Sequence, residues 1–426
     1  RVASQLVADG FEITPDESAA DVILLNTCSV REKAEHKLFT RVGQINKAAS
    51  QRQGEKPILG ILGCVAQLEG ETLFGKSQAI DFVLGTKAVG RVAQAIEKVS
   101  GGRGYYADLD EREDGYDWSV ADAQRHSPYI AFVPIIEGCN KFCTYCIVPF
   151  SRGREKSLPA SEIVRHVLSL RREGIKEVHL IGQNVNSYRP KTDDGLENVR
   201  GATQFSRLLR AVAATGIERI KFTTSFPRDF HPDIVEALNE NENLCNWVHL
   251  PVQSGSNRIL KLMRRGHTIE NYLDRIAKIK ASSRNIALST DIIIGFPGET
   301  EEDFRDTLAL VEHCKFNSAY VFKYSPRPGT PAFEMPDTVS AADKTERFLR
   351  LDKLIRVHQR QVFGDYTGKI VKVLAEKISE KHPDQISGHS TCQMVVNFPG
   401  SADILGKIVK VKILESKANT LYGKIC

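Results

Sequence analysis

No stretch of this 426-residue sequence is apolar over anything near the roughly 18 residues needed to cross a bilayer. Its first residues also lack the basic, apolar and small-residue succession of an export signal. Neither a membrane span nor secretion is therefore expected, and a cytoplasmic protein is. Repeats and low-complexity tracts are missing too, and the hydrophobic fraction of 41 % is that of an ordinary folded chain. Charge of one sign is scarce in excess, since the formal net charge is only +5, but its placement is uneven. Residues 366–426 carry nine lysines against five acidic residues, which is nearly the whole surplus. A disulfide framework is absent as well. Nine cysteines, an odd number in clustered spacing, read as metal ligands in a reducing compartment.

The length predicts two or three domains of α/β class. In residues 1–100, strands at 22–26, 57–63 and 79–85 alternate with helices, the pattern of a parallel sheet covered by helices. Residues 1–8 have helical apolar spacing with no cap or preceding strand, so the start of this domain is expected to be missing. Residues 101–128 are polar and acidic without a period and read as a linker docked by Tyr116 and Trp118. A second series, 129–363, has strands at 130–136, 177–182, 220–224, 247–252, 286–294 and 319–324. Helices separate them, one opened by the capping pair Thr300 and Asp303. Six βα units predict a partial (β/α)6 barrel, with its active face at the carboxyl ends of the strands. Residues 364–426 alternate apolar and polar around Pro399-Gly400, the pattern of a small β-barrel.

The most informative run is Gly138-Cys139-Asn140-Lys141-Phe142-Cys143-Thr144-Tyr145-Cys146, on the loop after the first barrel strand. Its C-x3-C-x2-C spacing offers three thiolates, one fewer than a closed site needs. A 4Fe–4S cubane held this way keeps one iron open, which S-adenosylmethionine can chelate. The alternative is a zinc knuckle completed by His126 or His166. Tyr145 suits either the side of an adenine ring or plain packing. Gly182, Gln183 and Asn184, after the second barrel strand, could meet the methionine end of the cofactor or merely end the strand. The strand from Asp291 to Gly295, followed by Phe296-Pro297-Gly298-Glu299, lets a backbone approach a nucleoside, although glycine at a strand end is often structural. Cys28 and Cys64 each follow a buried parallel strand, so both thiols should emerge on one rim and could share a metal. Cys245, Cys314, Cys392 and Cys426 read as core or surface thiols.

These runs, with Asn26-Thr27-Cys28-Ser29-Val30-Arg31-Glu32-Lys33-Ala34, Gly63-Cys64-Val65-Ala66-Gln67, His249-Leu250-Pro251-Val252-Gln253-Ser254-Gly255-Ser256 and Tyr324-Ser325-Pro326-Arg327-Pro328-Gly329-Thr330-Pro331-Ala332, resemble the methylthiotransferase family of radical SAM enzymes, in its tRNA-modifying branch. The resemblance spans the chain: a methylthiotransferase domain, a radical SAM domain and a terminal TRAM domain. It implies two 4Fe–4S clusters, one on Cys139, Cys143 and Cys146, the other on Cys28, Cys64 and a cysteine expected shortly before Arg1. It further implies S-adenosylmethionine as methyl donor and radical source, and methylthio transfer to C2 of an isopentenyladenosine at position 37 of tRNA. The expected partners are the anticodon arm of that tRNA, an electron donor and a sulfur source, with no membrane, and the expected state is a monomer. Lys407, Lys410 and Lys412 of the terminal barrel are the candidate phosphate contacts, of which Lys410 and Lys412 share one strand face. The chain departs from the family pattern at two places: Leu158 stands where the family usually keeps arginine, and Gly388-His389-Ser390-Thr391-Cys392-Gln393 is a loose TRAM motif. The alternatives are methylthiolation of a ribosomal protein aspartate and a non-catalytic iron–sulfur protein that binds tRNA.

Overall fold

Ile58–Gly63 is apolar without alternation and buried along nearly its whole length, as a central strand covered on both faces must be, while Val22–Thr27, its edge neighbour, is half-buried and ends in Asn26 and Thr27. They pair in parallel from Val22 opposite Ile58 to Thr27 opposite Gly63. Phe82–Leu84 and Tyr106–Asp108 extend the sheet to four parallel strands in sequence order. Leu38, Val42 and Ile45 of the helix Glu32–Gln51 cover one face, against Leu59 and Ile61. Val92, Ala95 and Ile96 of the helix Val92–Ser100 cover the other, against Leu62, Phe82 and Leu84. The strand Tyr106–Asp108 lies in the segment read as linker, and three residues are too few to show a period. It is held by Arg91, whose guanidinium makes two bonds to the Asp108 carboxylate at 2.6 and 2.9 Å.

The computed structural model describes residues 2–28, 32–52, 54–102, 104–110, 125 and 127–426. The rest of the expected linker, with Tyr116 and Trp118, lies outside the described residues, as do Ser29, Val30, Arg31 and His126. Two compact units result: 1–126 with 138–140 and 146–154, and 127–137 with 141–145 and 155–426.

In the second unit, Ile130–Pro134, Glu177–Ile181 and Arg219–Phe222 form one parallel sheet. Trp247–His249, Ala287–Ile294 and Ser318–Lys323 form another, and a bridge from Ile220 to Leu244 continues one into the other. This is the expected six-stranded partial barrel. Val178, Leu180, Ile220 and Phe222 are fully buried, Phe222 beneath Phe205 of the helix Gln204–Ala213. Alternate residues face the interior, where Phe132 and Tyr320 remain about half exposed. Thr300 and Asp303 do form a reciprocal capping box, opening the helix Glu301–Cys314.

The helix Ala341–Gly364 leads into a closed barrel of Ile370–Ile378, Gln385–Ser390, Val395–Pro399, Ile408–Ser416 and Leu421–Ile425. Its core of Val373, Val396, Phe398 and Val411 is continuous with Ala287 of the larger barrel and with Phe363 and Tyr366. Among the described residues no helix is long and apolar enough to cross a membrane.

Candidate cluster and cofactor site

The three-cysteine loop leaves the first barrel strand through a short antiparallel pair, Ile136–Glu137 with Lys156–Ser157. Residues 138–140 and 146–154 count with the first compact unit and 141–145 with the second. Within the first, the Cys139 amide donates to Gly153 O at 3.2 Å. Within the second, Thr144 is clamped three ways: its amide to Met263 O at 3.1 Å, its hydroxyl to Leu262 O at 3.0 Å, and its carbonyl from the Ala332 amide at 2.8 Å. Lys141 pairs with Asp229; burial opposes ionisation there, yet Lys141 holds the carboxyl below its ordinary range.

Cys139 and Cys143 are buried and Cys146 is half-buried. Arg265, 4 % exposed, aims one guanidinium nitrogen at Cys143 Sγ (3.6 Å) and at the Tyr145 hydroxyl (3.4 Å), and the other at Pro251 O (2.6 Å). Its guanidinium also lies 4.1 Å from the centre of the Phe226 ring. A cation beside a ligand sulfur would offset part of the negative charge of a cluster held there. Three soft thiol donors within eight residues, with such a cation at one of them, fit an iron–sulfur cluster with an open position. Among the described residues no three Cys, His, Asp or Glu side chains are grouped closely enough to hold a metal as they stand.

The loops at the carboxyl ends of the barrel strands hold polar atoms with nothing to bond. Gln183 Oε1, Asn184 Oδ1, Ser225 Oγ and His267 Nε2 are buried and unpartnered. Such atoms call for a ligand, and acceptors of this kind suit an ammonium group such as that of S-adenosylmethionine. His267 is kept neutral, pushed down to about 4 by burial and then by Arg265. At Gly182 an added side chain would overlap Ile136. Tyr145 packs on the cluster of Ile259, Met263, Phe296 and Tyr324. Asp291 sits farther down its strand, 3.5 Å from His249 Nε2.

Gly295 has φ +68°, and an added Cβ would overlap Lys344. Its amide donates to Glu299 Oε1 at 3.0 Å, and that oxygen also accepts from Arg347 Nη1 at 2.6 Å. Arg265 and Arg347 escaped the sequence reading, since neither belongs to a spacing motif and each meets its partners only through the fold.

In the first unit, Cys28 and Cys64 follow directly after the paired residues Thr27 and Gly63, at the same end of adjacent strands. Cys28 is exposed; Cys64 is buried and opens the helix Cys64–Glu69. Gly63 turns the chain there with φ +94°, where a Cβ would press on Asn26 and the Thr27 carbonyl. The helix packs on Val148–Arg152, the helix just after Cys146, and nearby the Thr86 hydroxyl donates to Ser151 O at 2.8 Å. Of the remaining cysteines, burial pushes Cys245 up to about 11 and Cys314 up to about 12, as for inert core thiols. Lys410 and Lys412 are exposed on one face of their strand, with Val411 and Ile413 buried on the other. Lys407 is exposed in the turn before it.

Residues 1–85 match the Uncharacterized protein family UPF0004, 133–311 the Radical SAM superfamily and 364–426 the TRAM domain. A tRNA-2-methylthio-N(6)-dimethylallyladenosine synthase of Alkalilimnicola ehrlichii is 41 % identical, covering 100 % of this chain and 93 % of the relative. One of Erwinia tasmaniensis is 41 % identical over 98 % of this chain and 86 % of its own. The chain belongs to this synthase family. Among solved structures, the radical S-adenosylmethionine methyltransferase TsrM of Kitasatospora setae, with cobalamin and a [4Fe-4S] cluster bound, shares the fold. Its TM-score is 0.56 at 14 % identity, over 78 % of this chain and 70 % of that one. Membership in the synthase family and the radical SAM superfamily implies a 4Fe–4S cluster and S-adenosylmethionine.

Proposed function

We propose that the protein converts N6-isopentenyladenosine at position 37 of tRNA to its 2-methylthio derivative. The observation that carries this reading is identity of about 40 % along the whole chain to synthases of that name. Cys139, Cys143 and Cys146 would hold one 4Fe–4S cluster, and Cys28 and Cys64, with a third thiol, a second. When bound, the clusters and S-adenosylmethionine supply a methyl group and the one-electron chemistry that an aromatic C–H bond without useful acidity requires.

The chain's own residues orient and enclose. Arg265 reaches Cys143 Sγ and holds that side chain in place, and the Thr144 clamp fixes the middle of the loop. Gln183, Asn184, Ser225 and His267 offer acceptors to the cofactor, and Glu299 steadies the Gly295 turn against which its nucleoside would lie. The target base must leave its stack to enter the barrel, whose interior face presents Phe132 and Tyr320.

On the terminal barrel Lys372 lies directly opposite Lys410, and Lys412 opposite Lys424, all four exposed. Like charges paired across strands repel and destabilise, so this face suits a polyanion such as the anticodon arm. An electron donor and a sulfur source complete the system, with the protein acting as a monomer in the cytoplasm. Mass spectrometry of tRNA nucleosides, after incubation of the reconstituted protein with isopentenylated tRNA, reductant and S-adenosylmethionine, tests the reading. The 2-methylthio nucleoside should appear, and its absence would refute it.

A further inference from the structure

The interior face of the six-stranded barrel buries charge that the proposed reaction does not use. Glu177 and Arg219 lie in register at the amino ends of adjacent strands, with side chains 3 % exposed, and pair at 2.7 Å. His179 Nε2 meets the same carboxylate at 2.5 Å. Two residues on, Lys221 lies beside His179 in register, its ammonium 4.4 Å from the centre of the Trp247 ring. Both cations also donate to the terminal barrel, and Arg219 further bonds the buried Cys245 thiol. Arg219 donates to His389 O and Ser390 O, each at 2.8 Å, and Lys221 to Gln393 Oε1 at 2.7 Å. The acceptors sit at the turn between Gln385–Ser390 and Val395–Pro399, where Gln393 takes φ +61° and Cys392 Sγ lies 3.7 Å from Asn285 O.

This turn meets the larger barrel at the amino ends of its strands, whereas the cysteine loop follows a carboxyl end. Taking three ionic groups out of water costs several kcal/mol each before pairing, and an apolar interface would join two barrels as firmly. What the ionic fit adds is direction, because a guanidinium bonding two consecutive carbonyls fixes angle as well as distance. The turn is also tied closely to the lysine face. Val373 pairs with Ser390 on one side of its strand, and the adjacent Lys372 pairs with Lys410 on the other.

We infer that Arg219 and Lys221 are positioning residues, which register the terminal barrel and the RNA held on it against the reaction chamber, so that the turn Ser390–Gln393 is the chamber floor. The inference rests on the tRNA reading above. It separates two quantities that a simple tether would move together, namely affinity for RNA and accuracy of base delivery.

The test compares Arg219→Gln, Arg219→Lys and Gln393→Ala in the full-length holoenzyme. Iron content, tRNA affinity, turnover, and methylthiolated product per 5′-deoxyadenosine released are measured for each. In Arg219→Gln, affinity should stay near the parent's because the lysine face is intact, while turnover and product yield per 5′-deoxyadenosine fall about ten- to a hundred-fold, as for a displaced substrate. Arg219→Lys should recover part of the loss. Gln393→Ala, which leaves both barrel cations in place, should show the same split more mildly, and it decides the matter if Arg219→Gln does not fold. Parental yield per 5′-deoxyadenosine in Gln393→Ala and in any folded Arg219 variant would overturn the inference. So would a loss confined to affinity. A parent that makes no methylthiolated tRNA would instead refute the functional reading, and this inference with it.

Discussion

Arg347 bonds Glu299 at 2.6 Å, and through it a residue of the long connecting helix sets the glycine turn at the end of the fifth barrel strand. Glu299 is 5 % exposed, burial raises its pKa, and one oxygen accepts from both Arg347 and the Gly295 amide. Removing Arg347 would leave a buried carboxylate without its cationic partner, a change that costs up to about 3–5 kcal/mol. Arg347→Leu is expected to lower the unfolding midpoint and weaken S-adenosylmethionine binding. Glu299→Gln, which keeps an acceptor for Gly295, should be milder in both. Calorimetry and cofactor titration check this, and equal binding by Arg347→Leu and the parent would separate the ion pair from the cofactor.

The two sets of cysteines should be separable. Alanine at Cys139, Cys143 or Cys146 leaves two thiolates for a cubane and should abolish reductive cleavage of S-adenosylmethionine. Alanine at Cys28 or Cys64 should leave part of that cleavage while removing methylthio transfer. Chromatography of 5′-deoxyadenosine beside nucleoside analysis decides it, and undiminished cleavage after loss of Cys143 would contradict the assignment.

Arg265 touches Cys143 without being a ligand, so its effect should be read in the cluster rather than in its assembly. A cation donating to a ligand sulfur stabilises the reduced, more negative cluster. Arg265→Met should shift the midpoint potential in a redox titration followed by electron paramagnetic resonance to a more negative value. An unchanged potential with full iron content would reduce Arg265 to a packing residue.

His267 ties stability to pH. Its folded value of about 4 lies below the ordinary 6.5, so the native state favours the neutral ring. The unfolded chain binds the extra proton between those values, so this contribution is complete above about pH 6.5 and is lost as pH falls toward 4. It amounts to roughly 3 kcal/mol at most. Denaturant titrations from pH 7 to 4.5 should show stability falling in the parent and a flatter profile in His267→Gln. Identical slopes would remove His267 as the cause.

The lysine face predicts a salt signature. Charge reversal at Lys410 or Lys412 should lower the slope of log affinity against log salt by about 0.7 to 0.9 per lost phosphate contact. A slope equal to the parent's would place the RNA elsewhere.

What the sequence made legible was periodic or clustered. The unalternating strands before Cys28 and Cys64, the cysteine loop and the Thr300–Asp303 cap all appear in the structure where their spacing put them. Tyr106–Asp108 did not show, because a three-residue strand has no period and depends on Arg91. The terminal barrel was legible as a barrel but read as a separate module. Its turn is bound by Arg219 and Lys221, some 170 residues away in the chain, and no local pattern encodes a contact of that range. Arg265 and Arg347 were missed for the same reason: each is an unremarkable helix-end or helix residue until its partners are known.

The central claim is tested most directly with S-adenosylmethionine carrying a labelled methyl group. The reconstituted protein is given isopentenylated tRNA and reductant, and the digest is analysed for labelled 2-methylthio-N6-isopentenyladenosine beside 5′-deoxyadenosine. The account predicts both products from the parent and neither from the Cys143→Ala variant. Unmodified tRNA from an iron-replete parent, or label appearing anywhere but on the sulfur at C2, would contradict it.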